Sequence, residues 1–136
     1  VDYDLPPDTA YSETCAAIGL IFFAEKMLEN EINGEYGDVM ELVFYNTVLA
    51  GMQLDGKRFF YVNPLEVDIG ISGKACTHSH VLPSRPKWYA CACCPPNAAR
   101  LIGSIGKYAY GEKGDTAYCH LFTSGKVSFS NGMMSI

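Results

Sequence analysis

The chain has 136 residues, 49% hydrophobic and 18% charged, which is enough for one domain with a real core. Its formal net charge of −5 disfavours nucleic acid and anionic membrane surfaces as partners, because neither attracts an acidic surface. The longest apolar run, CAAIGLIFFA at 15–24, is too short to span a bilayer and lies inside a helical pattern.

The chain opens on Val1 and an irregular, proline-containing lead, DYDLPPDTAYSET at 2–14. It has no positively charged leader or cleavage site, and it stops within a strand-and-turn pattern, SNGMMSI. A segment of a longer protein is expected, with a cytoplasmic setting. From about Ser12 to Asn30 the residues are strong helix formers without proline. This helix is apolar on nearly every side until Glu25, which predicts burial between other helices. NGEYG at 33–37 reads as a break, and Asp38 with Glu41 as a capping box opening a second helix over DVMELVFYNTVLAGMQL. Asp55-Gly56 is a turn, and KRFFYVNPL at 57–65 reads as a strand with alternating bulk. Residues 66–87 are poor in periodic signals and rich in glycine and proline, and so form a long loop of the kind that is usually functional or disordered. WYACAC is briefly extended, after which Pro95-Pro96 opens a third helix over NAARLIGSIGKYAY. GEKGD reads as a turn, and TAYCHLF with KVSFS as a β-hairpin around TSG.

Three of the six cysteines, Cys91, Cys93 and Cys94, fall within WYACACCPPN. A disulfide framework fits poorly, since Cys93 and Cys94 are adjacent and the chain is apolar enough to fold without staples. Reduced, functional thiols are the expectation. Cys91-x-x-Cys94 has the form of a redox CxxC at a helix N-terminus, but the βαβ context of a thioredoxin-like motif does not precede it. A zinc ribbon needs a second CxxC, which is absent from the sequence. A metal site completed from elsewhere could draw on Glu13, Cys15, Cys76, His78 and His80. Glu13 and Cys15 are two residues apart and share no face of a regular helix, so one ion reaches both only if Glu13 lies in the irregular lead or a frayed first turn. Taken alone, Glu13 is equally a first-turn carboxylate facing the helix dipole, and Cys15 a small buried hydrophobe. His78 and His80 read as loop histidines and His120 as sheet surface.

The stretches AYSETCAAIGLIFFAEKML, FYNTVLAGMQLDGKRFFYVNPLEV and WYACACCPPNAARLIGSIGKYAY together resemble family 127 glycoside hydrolases, the β-L-arabinofuranosidases. The resemblance runs in collinear order over nearly all of residues 3 to 123 and is weakest in the loop at 68–84. It is most specific in CACCPPN combined with ETC upstream. It implies a retaining glycosidase in which a cysteine attacks the anomeric carbon, with zinc held by one glutamate and three cysteines. Matched by motif, Glu13, Cys15, Cys93 and Cys94 would be the zinc ligands and Cys93 the nucleophile. Tyr61 of FFYVNP, with Glu13, would contact the carbohydrate, an L-arabinofuranoside. Cys91 would pack beside the site without being a ligand. Zinc bonds of about 2.0–2.3 Å would draw the four donor atoms within about 4 Å of one another.

The implied fold is mainly α. Residues 1–110 would supply the last helices and zinc-site segment of a catalytic (α/α)6 barrel. Residues 111–136 would supply a short β-hairpin leading into a β-sandwich. The family's acid/base glutamate and sugar-binding histidines lie upstream of the matched stretch, so the segment alone would be inactive. With its barrel partners missing, the apolar first helix would be covered in a homodimer or swapped assembly. The competing expectation is a small zinc-stabilised structural or binding module without catalysis.

Overall fold

The computed structural model describes residues 5–136. Helix α1 spans Thr14–Asn30, α2 Gly34–Val43, α3 Cys94–Gly103 and α4 Ile105–Ala109. Strands β1 (Tyr110–Lys113), β2 (Thr116–Cys119), β3 (Lys126–Phe129) and β4 (Gly132–Ser135) follow. Helix is therefore the dominant regular structure, as expected.

Helix α1 buries Thr14, Ile18, Ile21, Glu25 and Leu28, spaced by three and four residues along one face. That face meets α2 and α3. The other apolar positions are not enclosed: Leu20 and Phe23 are exposed on the far side. Glu25 is tolerated at the core edge because Lys26 and Lys107 pair with it at 3.4 and 3.3 Å.

Helix α2 starts four residues before the expected capping box. Asn33 is its N-cap, accepting a hydrogen bond from the Glu35 backbone N–H at 3.0 Å, and Glu35 puts a carboxylate in the first turn. The break therefore precedes Asn33, and Asp38 and Glu41 are ordinary helical positions. The helix continues through a π-helical turn at Phe44–Leu49. There the Asn46 side chain donates to the Leu42 carbonyl, the acceptor its own backbone N–H would take in a regular α-helix.

The expected strand at 57–65 does not form. Among the described residues this stretch makes only two isolated antiparallel bridges, Met52 with Phe59 and Glu13 with Val62. Its polar backbone is satisfied by scattered backbone bonds to Gly51, Gln53, Pro86, Ser12 and Thr14, and side chains add to them. Thr14 Oγ1 donates to the Phe60 carbonyl at 2.8 Å, and Asn63 Nδ2 donates to the Ser12 carbonyl at 3.1 Å. Residues 66–87 form the expected loop, with a single 3-10 turn at Cys76–His78.

The third helix is interrupted where an unbroken one was expected. Ser104 Oγ donates to the Arg100 carbonyl at 2.7 Å, and Gly103 before it offers the weakest helix propensity short of proline. The hairpin pairing also differs. Strand β2 pairs back onto β1 around Gly114-Asp115, with Lys113 opposite Thr116 and Gly114 at φ +59°. A tight glycine turn captured β2 before the longer TSG connection could. Strand β3 pairs with β4, giving two separate two-stranded sheets.

The main core is Ile18, Ile21, Leu28, Met40, Phe44, Val48, Ala98, Leu101, Tyr108 and Leu121, with small residues between them. A second, smaller cluster of Tyr61, Val62 and Cys94 packs with Cys15, Phe59, Tyr89 and Cys93. Cys119 is in neither cluster. His120 is half-buried past the end of β2 rather than on a sheet surface, and burial holds its imidazole below its usual pKa.

Candidate metal centre and active site

Two helix N-termini meet at the second cluster. Glu13 is the N-cap of α1 with extended backbone (φ −69°, ψ 132°), so its side chain is released from the helical screw that would turn it away from Cys15. The bridge between Glu13 and Val62 lays Tyr61 alongside, and the Thr14 backbone N–H fixes the Tyr61 carbonyl at 3.0 Å. Cys93 is the N-cap of α3 and Cys94 its first residue, with prolines in the first turn.

Cys15 Sγ lies 3.2 Å from Cys93 Sγ and 3.4 Å from Cys94 Sγ, across 78 residues of chain for the first pair. Cys93 Sγ lies 3.8 Å from Cys94 Sγ and 3.6 Å from Glu13 Oε1. Donor atoms of all four residues fall within 4.8 Å of one another, slightly wider than the 4 Å expected. For bonds of about 2.3 Å, two sulfurs of a tetrahedral site sit about 3.8 Å apart, so these separations are of the right size. Three thiols and a carboxylate also form a donor set that suits zinc, and the residues fit that ion.

The electrostatics of the protein atoms alone are unfavourable for charge. Burial first, and then the Cys15 sulfur, push the Cys94 thiol well above its usual range. The Tyr61 hydroxyl, 3.4 Å from Cys93 Sγ, is driven strongly upward by that contact first and by burial second, with Glu13 and Cys91 adding. Tyr61 therefore keeps its proton, and its hydroxyl oxygen accepts from Cys93 Sγ. Its ring stacks on Tyr89 at 4.4 Å with 13° between planes, and Tyr11 meets it edge-on at 6.4 Å.

A sequence profile for the GH127 β-L-arabinofuranosidase catalytic domain matches residues 1–107. The chain belongs to that family. Over 134 residues it is 46% identical to a non-reducing end β-L-arabinofuranosidase of Bifidobacterium longum, a match covering 97% of this chain and 20% of that protein. Its structure superposes on the crystal structure of a GH127 β-L-arabinofuranosidase from Geobacillus stearothermophilus with a TM-score of 0.86 and 51% identity. That match covers 96% of this chain and 21% of the other. A second solved GH127 β-arabinofuranosidase gives a TM-score of 0.79 at 37% identity, covering 95% of this chain and 18% of its own. This GH127 chain thus spans about one fifth of the length of these relatives.

Of the wider set of metal candidates in this GH127 chain, Cys76, His78 and His80 stand apart from the cluster. Cys76 is exposed; His78 Nε2 pairs with Asp8 at 3.1 Å, and His80 Nε2 bonds the Thr9 carbonyl at 3.0 Å. Both histidines fasten the long loop to the lead. Cys91 is exposed and outside the four-residue set. Two residues at the site escaped sequence reasoning. Tyr89 gave no signal. Asn97, whose Nδ2 donates to Cys15 Sγ at 3.1 Å, was legible in principle, because it follows Cys93 and Cys94 by four and three residues on a helix that starts there.

Proposed function

We propose that this chain is the metal-bearing part of a retaining glycosidase that releases terminal β-L-arabinofuranosyl groups. The observation that carries the reading is the convergence of Glu13 and Cys15 with Cys93 and Cys94 in a member of the GH127 family. Glu13, Cys15, Cys93 and Cys94 would hold zinc, which when bound supplies the positive charge that keeps the thiols deprotonated.

Cys93 is the nucleophile. It sits at the junction of the cluster, within reach of Glu13, Cys15, Cys94 and the Tyr61 hydroxyl. Its sulfur forms a bond to the anomeric carbon as the bond to the leaving oxygen breaks, and that oxygen takes a proton from a carboxylic acid on the far side of the bond. In retaining enzymes that acid lies about 5 Å from the nucleophile and then activates the water that cleaves the sulfur–carbon bond. The resemblance puts it upstream of these residues. Tyr61 and Glu13 would hold sugar hydroxyls, with the Tyr61–Tyr89 stack fixing the direction of the Tyr61 hydroxyl.

Residues 1–110 would then close an (α/α)6 barrel and 111–136 open a β-sandwich. The family profile ends at residue 107 and strands begin at Tyr110, in keeping with that division. Leu20 and Phe23 on α1 are the face that further barrel helices or a second copy would cover.

The test is metal analysis and hydrolysis of an aryl β-L-arabinofuranoside by the intact protein. One zinc per chain is expected. Cys93→Ser should cost on the order of 10³-fold or more in turnover, since loss of a nucleophile in other hydrolases costs up to about 10⁶. Cys91→Ser should stay near wild type. A folded Cys93→Ser protein with wild-type rates would overturn cysteine catalysis, and a metal-bound, inactive wild type would favour a structural zinc module.

A further inference from the structure

We infer that Asn97 is a positioning residue for the thiolate cluster, supplying from its side chain the N–H that the helix N-terminus withholds. This rests on the zinc reading above.

A helix N-terminus normally offers free backbone N–H groups to nearby anions. Here the first turn of α3 reads Cys94-Pro95-Pro96, and proline has no N–H. The next backbone N–H, that of Asn97, is already bonded to the Cys93 carbonyl at 3.2 Å. The prolines fix the direction of the helix but remove two of the donors that would face the sulfurs. Three thiolates and a carboxylate around a divalent cation leave a net charge of −2 in a partly buried site, and such charge is stabilised by hydrogen-bond donors.

Among the described residues one side chain outside the cluster donates to its sulfurs, that of Asn97, whereas the Tyr61 hydroxyl accepts from Cys93 Sγ, the sulfur assigned to chemistry. Asn97 places its amide on Cys15, the sulfur that comes from the other helix, at 3.1 Å. Side chains on a helix lean toward its N-terminus, so a residue one turn in is suited to reach back over the opening turn. The bond ties α3 to the first turn of α1 at the point where the two halves of the site join. It fixes the direction of the Cys15 lone pairs and stabilises its charge, leaving Cys93 without an amide donor of its own.

The test uses the intact protein with Asn97→Ala and the isosteric Asn97→Asp, loaded with cobalt(II) in place of zinc. A hydrogen bond to a thiolate lowers the energy of its lone pairs, so its loss moves the sulfur-to-cobalt charge-transfer absorption to longer wavelength. Both variants should show that shift. In competition with a chelator, Asn97→Ala should lose about 10–100-fold in zinc affinity, the usual cost of removing a partner of a metal ligand. Asn97→Asp should lose more, because it sets a carboxylate against the sulfur. If alanine does not fold, the aspartate variant, which keeps the volume, carries the test. A folded variant with wild-type absorption and wild-type zinc affinity overturns the role of Asn97. A wild-type protein that shows no thiolate charge-transfer band with cobalt instead overturns the zinc reading on which it rests.

Discussion

Met40, Phe44, Val48, Ile18, Ile21 and Leu101 sit between helices and are held by mutual burial. Phe60, Tyr61 and Val62, which form one wall of the cysteine site, belong to a stretch with neither helix nor strand ladder. Their backbone is held by named polar contacts. The Thr14 hydroxyl and N–H bind the Phe60 and Tyr61 carbonyls, and Asn63 binds the Ser12 carbonyl and Thr14 Oγ1. Arg85 adds a bond from Nε to the Ala50 carbonyl at 3.2 Å while its guanidinium lies over the Phe60 ring. Burial is non-directional and sets how stable the chain is. Hydrogen bonds are directional and set where the Tyr61 hydroxyl lies relative to Cys93.

The sharpest way to break that contrast is Met40→Ala. Met40 is fully buried, so truncation should cost about 2–5 kcal/mol in urea or thermal unfolding of the intact protein. The folded, cobalt-loaded variant should keep the wild-type absorption, since α2 carries no ligand. A changed spectrum would mean that core and site are not separable.

Asn63→Ala should behave in the opposite way. It removes one of two bonds at the Ser12 carbonyl, which keeps the Asn63 backbone N–H, and one at the Thr14 hydroxyl, which keeps the Phe60 carbonyl, a cost of about 0.5–1.5 kcal/mol per bond. The larger effect should be on the site: the Tyr61 strap loosens and, on the proposed function, KM for an aryl β-L-arabinofuranoside rises more than stability falls. A rate profile indistinguishable from wild type would show that the isolated bridge alone holds Tyr61.

The smallest effect concerns His120, at the edge of the main core. Burial depresses its pKa below 6.5, so the folded state favours neutral imidazole. The unfolded state takes up a proton first as pH falls. The stabilisation is therefore complete above pH 6.5 and drains away below it, as pH approaches and passes the folded-state pKa. Solvent screening keeps the effect modest. His120→Gln should flatten the melting temperature across that range, and an unchanged slope would assign the pH dependence to other groups.

Much of this was legible in the chain itself. Helix α1, the long loop after residue 65 and the helix opening at the cysteine pair follow from propensity, periodicity and proline placement, all local properties. The pairing of ETC with CACCPPN was legible through its resemblance to GH127 enzymes, while the residue types alone left Cys76, His78 and His80 open as partners as well. Local signals failed where two of them competed. Asn33 outbid Asp38 as the cap of α2, and the glycine turn at Gly114 took β2 from its expected partner.

Tertiary structure decided the rest. No local rule says that KRFFYVNPL lies against the lead instead of joining a ladder, because that depends on Thr14 and Asn63, which are 49 residues apart. Nor could spacing alone show that Asn97 would bond Cys15 across 82 residues. The residue types that can bind a metal are written in the sequence. Their distances to one another exist only once two helix N-termini, each fixed by its own packing, are brought to the same point.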